Sequence, residues 1–156
     1  MRRALAVTVL GTVTLMAGCA GAPAGLVGQM SATSDVAGQP GDAAVGGGGL
    51  AVIPIAAMNG PFWDLAAEHP IADPQEWFHM ALQLSEDDVT ELGGTASPID
   101  GDGGFRLQVA PAEYAVCYWP GDVGTRITGC DAIELPASGT LEATWGEAGF
   151  QIRVAG

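Results

Sequence analysis

Residues 50–156 predict an all-β fold, a small antiparallel β-sandwich with room for one short helix. Two observations carry this. Apolar and polar residues alternate in Phe105–Val109, Leu141–Trp145 and Phe150–Val154, as they do in strands with one buried face. Glycine and proline break the chain at Pro120-Gly121, Pro136 to Gly139 and Gly146 to Gly149, the spacing of short sandwich strands.

The elements follow in order. Met1-Arg2-Arg3 is cationic, Ala4 to Ala17 is apolar, and Met16-Ala17-Gly18 places small residues before Cys19. Such a segment, 1–18, reads as a secretory signal. Its apolar run of about 14 residues is too short for the ~20 that a bilayer requires. The junction resembles the lipobox of bacterial lipoproteins, with Met16 where leucine is commonest. The resemblance implies a diacylglycerol on the Cys19 sulfur, cleavage before it and an acylated new N-terminus. The alternative is an ordinary cleaved signal with a chance cysteine.

Residues 19–49 read as a flexible, lipid-anchored linker. Ala20 to Gly49 lacks aromatic residues, is rich in small and polar ones, and ends in Gly46-Gly47-Gly48-Gly49. A coil of about 30 residues would hold the domain on the order of 30 Å from its anchor. Leu50 to Met58 reads as a strand, and Pro54 places it at an edge because proline cannot donate to a ladder. In 59–79, Asp73-Pro74-Gln75-Glu76 has the form of a helix start. Either a short helix follows or the chain runs directly into a strand ending at Leu84. Ser85 to Thr90 reads as a polar loop. Strands are expected over Phe105–Val109, Tyr114–Trp119, Arg126–Cys130 with Ala132–Leu135, Leu141–Trp145 and Phe150–Val154. The expected core is Ile53, Ile55, Leu82, Leu84, Phe105, Leu107, Val109, Tyr114, Val116, Trp145, Phe150, Ile152 and Val154.

Asp100-Gly-Asp-Gly-Gly-Phe105, the strand to Val109, Ala110-Pro111-Ala112-Glu113 and Tyr114-Ala-Val-Cys117 resemble a unit of transthyretin-like (prealbumin-like), carboxypeptidase-regulatory-like domains. Ala112 departs from that pattern, where glycine is expected. The resemblance implies Phe105 and Tyr114 packing inward from adjacent strands, in a binding, spacer or stabilising module without chemistry. Small immunoglobulin-like sandwiches share these features.

The chain carries five basic residues, none of them lysine, against eighteen acids, for a net charge of −13. Both Arg2 and Arg3 lie in the leader. Such a surface repels phosphate backbones, so nucleic acid is not expected as a partner. Attachment to a membrane would come from the acyl chains and not from a basic patch. Cys117 and Cys130 are expected to pair in an oxidising compartment. Closing that loop would contribute roughly 3 kcal/mol. A metal site or reactive thiol is the competing reading, but no histidine stands near at ligand spacing.

No cofactor and no catalytic residues are expected, since no Gly-x-Ser-x-Gly elbow occurs and His69 and His79 sit among prolines. Asp100 and Asp102 stand at a spacing calcium loops use, and a plain Asp/Gly turn is the alternative. Trp119, beside Pro120-Gly121, and Trp63 are the candidate ligand-contacting aromatics. The expected role is a non-catalytic module, lipid-anchored on the extracytoplasmic face of the cell membrane. Its partner would be an envelope protein or glycan. The alternatives are a structural spacer or accessory subunit, and a calcium-dependent adhesion domain.

Overall fold

Strand β1 (Leu26–Ala32) opens the fold, within the segment expected to be linker. The structure, a computed structural model, describes residues 25–33, 43–121 and 123–156. The signal segment and Cys19 lie outside these residues. After β1 come β2 (Ala43–Ala44) and β3 (Gly49–Pro54). A 3-10 turn (Ile55–Asn59), helix α1 (Pro61–Ala66) and a second 3-10 turn (Pro74–His79) lead to β4 (Ala81–Gln83). Helix α2 (Glu86–Glu91), β5 (Thr95–Pro98), β6 (Gly104–Leu107), β7 (Ala112–Trp119) and β8 (Arg126–Thr128) follow. The last strands are β9 (Cys130–Leu135), β10 (Gly139–Gly146) and β11 (Gly149–Val154).

Two sheets face each other, as the sequence predicts. In the first, β11, β10 and β1 lie side by side, and the free edge of β1 is shared by β6 and β2. The second has the order β5-β3-β7-β9, and β4 pairs with β8 in a separate ribbon. Every pairing is antiparallel except β1 with β10. Between the sheets lie Leu26, Met30, Leu50, Val52, Phe105, Val116, Leu141, Phe150 and Ile152, all buried. The Tyr118 ring stacks on Phe150 at 6.0 Å, and burial pushes its phenol upward from the ordinary tyrosine range.

The linker expectation fails because β1 belongs to this core. Leu26 and Met30 point inward with Gly28 between them. Gly28 lies directly opposite Phe105, whose ring occupies the space a Cβ would need, 2.2 Å from its position. The aromatic side chain thus fills the gap left by the glycine. Gly46 to Gly49 is likewise part of the domain. Gly48 has a φ of 76°, and a Cβ there would stand 2.0 Å from the Trp119 carbonyl oxygen. Only glycine fits that approach.

The inner strands of sheet two, β3 and β7, are buried on both faces. Leu50, Ala51, Val52 and Ile53 are all buried, and so is the run from Ala115 to Trp119. The outward set Ala51, Ile53, Ala115, Cys117 and Trp119 meets a third layer that residues 55–92 form over it. Met58, Phe62, Trp63, Trp77, Met80, Leu84 and Val89 supply the apolar side of this cap. Pro54 is therefore not at an edge: β3 is an inner strand, and Pro54 is its last residue, beyond the final pair with β5. The expected strand stops there and turns into the 3-10 segment.

Within the cap, Asp73 Oδ1 accepts from Gln75 N at 2.9 Å, so a short helix does start there, as 3-10. The expected loop at Ser85–Thr90 is helix α2. Ser85 Oγ accepts from Asp88 N at 3.1 Å, and Asp88 Oδ2 accepts from Ser85 N at 2.7 Å. This capping box satisfies two amide donors at the helix start, beside three acids suited to its dipole.

Of the expected core, Ile55, Val109, Tyr114 and Trp145 are half-buried and Val154 is exposed, because these positions lie at strand ends or sheet margins. Phe105 and Tyr114 do not come from adjacent strands: β6 is in one sheet and β7 in the other. The chain crosses between the sheets at 108–111, and the Tyr114 hydroxyl donates to Ala110 O at 3.0 Å to hold that corner.

Candidate functional site

Strand alternation decides the position of Trp119. Ala115, Cys117 and Trp119 share the cap-facing side of β7, so Trp119 is fully buried despite the Pro120-Gly121 break beside it. Its Nε1 donates to Leu84 O at 3.1 Å. Trp63, on α1, is 2% exposed, stands edge-on to Phe62 at 4.9 Å, and donates from Nε1 to Met58 O at 2.6 Å. Both indoles bury an apolar body and satisfy their one donor internally. Trp119 is a core residue, and Trp63 packs in the core while also reaching the wall of the cleft between the cap and sheet two.

Cys117 and Cys130 form a disulfide. They stand directly opposite each other on β7 and β9, and Tyr118 N donates to Gly129 O at 3.0 Å just beyond them. That pattern marks a non-hydrogen-bonded pair, where opposite residues come closest, about 4.5 Å apart. The loop it closes is no exposed hairpin: β8 within it pairs with β4, and Ile127 is fully buried.

Asp100 Oδ1 accepts from Asp102 N at 3.0 Å and from Gly104 N at 2.7 Å. The carboxylate is engaged in closing its own turn, and Asp102 O accepts from Gln29 Nε2. Among the described residues, no three His, Cys, Asp or Glu side chains converge on a point that could hold a metal ion. Glu86, Asp87 and Asp88 open helix α2. The calcium expectation is thus left without a ligand set, and the turn reading accounts for both aspartates. His69 and His79 are exposed.

A cleft of about 330 Å³ lies between the cap and sheet two, lined by Ile55, Met58, Trp63, Ile71, Trp77 and Ala132, with Glu113 also on its wall. On the outer face of sheet one, two polar grooves of about 440 and 530 Å³ share Glu142, Thr144 and Arg153. Arg153 is directly opposite Glu142 and donates from Nε and Nη2 to Glu142 Oε2 at 2.8 and 2.5 Å. At the margin of these grooves Asp131 Oδ2 accepts from Ile152 N at 2.9 Å, joining β9 of one sheet to β11 of the other. Burial pushes the Asp131 carboxyl above the ordinary carboxylate range, against two backbone hydrogen bonds that lower it. The sequence offers no signal for this residue, since its partner is a backbone amide 21 residues away.

These grooves offer hydrogen-bonding groups and a paired charge, which suits recognition of a polar surface. Among the described residues, no helix is long and apolar enough to cross a membrane. No protein family, curated sequence or solved structure matches the chain.

Proposed function

We propose that the chain is an exported, lipid-anchored β-sandwich module that binds a partner at the extracytoplasmic face of the cell membrane and performs no catalysis. The Cys117–Cys130 disulfide is the observation that carries this reading. Disulfides of this kind form and persist in oxidising compartments, and the leader ending in Cys19 supplies the route there. The two-sheet all-β fold is the kind of scaffold that the transthyretin-like resemblance implies. That family implies a binding, spacer or stabilising role.

A second reading, an accessory or spacer subunit of an envelope complex, is favoured by one observation. Trp119 is spent on the core and offers no platform for a glycan to stack on. Capture from membranes with the anchor intact separates the two: a stoichiometric protein partner favours the accessory role, and saturable glycan binding favours the module.

Export is tested by expressing the full chain in bacteria supplied with an alkyne-bearing fatty acid. The expected product carries label that Cys19→Ser abolishes, and it shows no free thiol until reduced. An unlabelled product with three reactive thiols overturns the proposal.

A further inference from the structure

The strand directions sort the loops of the sandwich into two ends of unlike chemistry. β1 begins at Leu26, which lies beside Gly139 of β10 and Leu107 of β6. The same end therefore holds the crossing from β6 to β7, the turn from β9 to β10, and the residues after β11, where Ala155 N donates to Thr140 O at 2.9 Å. Segments 108–112 and 136–140 carry no charged side chain, while Glu113 and Glu134 adjoin them on sheet two. At the opposite end, the turns after β5 and β10 carry Asp100, Asp102 and Glu147.

Two further observations point the same way. The exposed large apolar side chains among the described residues are Val27, at 39%, and Val154, at 43%, and both stand at the uncharged end. The acids gather elsewhere: Asp64 to Glu91, in the cap, holds eight Asp and Glu residues with no Lys or Arg. Arg106 and Arg153 lie on sheet one, Arg106 directly across from Val27.

We propose that the uncharged end is the membrane-facing surface of the domain, seated on the headgroups of the bilayer that holds the chain's own anchor. This rests on the acylation of Cys19. Six residues lead from Cys19 to Gly25, and fully extended they span at most about 20 Å. The end where β1 begins is thus held within reach of the lipid. Acids there would face anionic headgroups within a screening length of about 8 to 10 Å at physiological salt; the sheet-one side of this end, with its two exposed valines, brings no acid to that contact. Glu113 and Glu134 oppose each other near this end, on β7 and β9 of sheet two. Asp100, Asp102 and Glu147 then face outward, where a partner approaches.

The test uses the acylated full chain in vesicles of phosphatidylcholine and phosphatidylglycerol carrying a nickel-chelating lipid. Ser138→Cys and Ala148→Cys, each exposed, are made separately and spin-labelled. With Cys117 and Cys130 paired and Cys19 acylated, the new cysteine is the one free thiol. The label at 138 should relax several-fold faster than the label at 148, and Val154→Asp should reduce that difference. Equal or reversed relaxation, or no effect of Val154→Asp, overturns the orientation. Mass spectrometry of the same samples separates the two failures: a chain without fatty acid refutes the anchor and the orientation together, whereas an acylated chain with equal relaxation refutes the orientation alone.

Discussion

The two faces of the β5-β3-β7-β9 sheet are equally dry but covered by different means. One face meets another sheet, and its partners come from regular strands whose inward residues recur at every second position. The other meets a cap of short helices and turns, in which Phe62, Trp63 and Trp77 bury their rings and Trp indoles donate to backbone carbonyls. A sheet partner is specified by period, whereas a cap of this kind is specified by single large side chains with satisfied polar tips. Buried on both faces, β3 and β7 read as continuous apolar runs rather than alternating ones.

The sharpest way to break this comparison is to empty each side in turn. Phe150→Ala, between the sheets, and Phe62→Ala, under the cap, each remove a fully buried ring. Both should lower stability by about 3–5 kcal/mol in urea denaturation. A loss under about 1 kcal/mol for Phe62→Ala would make the cap an ornament and not a face of the core.

Next in size is the disulfide, which lies on the cap side of the sheet. The Cys117→Ala/Cys130→Ala pair should cost about 3 kcal/mol, read as a lower urea midpoint that matches the reduced wild-type chain. A smaller effect follows from Ser85→Ala, which removes one half of the α2 capping box. About 1 kcal/mol should be lost, and hydrogen exchange should quicken in 86–92 while β10 and β11 are unchanged.

The sequence made the inter-sheet side legible and left the cap side largely hidden. β6, β10 and β11 alternate plainly, and the Asp73-Pro74 start and the cysteine pair read true. β1 has no clear sequence signal because Gly28 interrupts its inward set, and only Phe105, from a distant strand, fills that place. α2 is hidden in the sequence although Ser85-x-x-Asp88 is a capping signal, since six residues are too few to show a helical period. Trp119 and Trp63 were placed by their neighbours in sequence, but their burial is set by a cap formed from residues far along the chain. Asp131 was invisible for the same reason.

Asp131 gives the finest test, at the seam where the two sheets meet. Its folded carboxyl is raised above the ordinary 3.8. The sign follows: the contribution of this group is fully present below 3.8 and is lost as pH rises through the folded value. Asp131→Asn keeps an acceptor for Ile152 N without the buried charge. Its stability relative to wild type should therefore rise between acid and neutral pH and become independent of pH well below 3.8. A difference that is constant with pH would mean the carboxylate is not desolvated.

Native-state hydrogen exchange on the whole chain tests the two-sided burial of the central sheet most directly. Amides of Leu50–Ile53 and Ala115–Cys117 should exchange only through global unfolding, more slowly than those of the outermost strand β11. Exchange in β3 and β7 as fast as in β11 would mean the cap does not cover the sheet, and the three-layer account would fall.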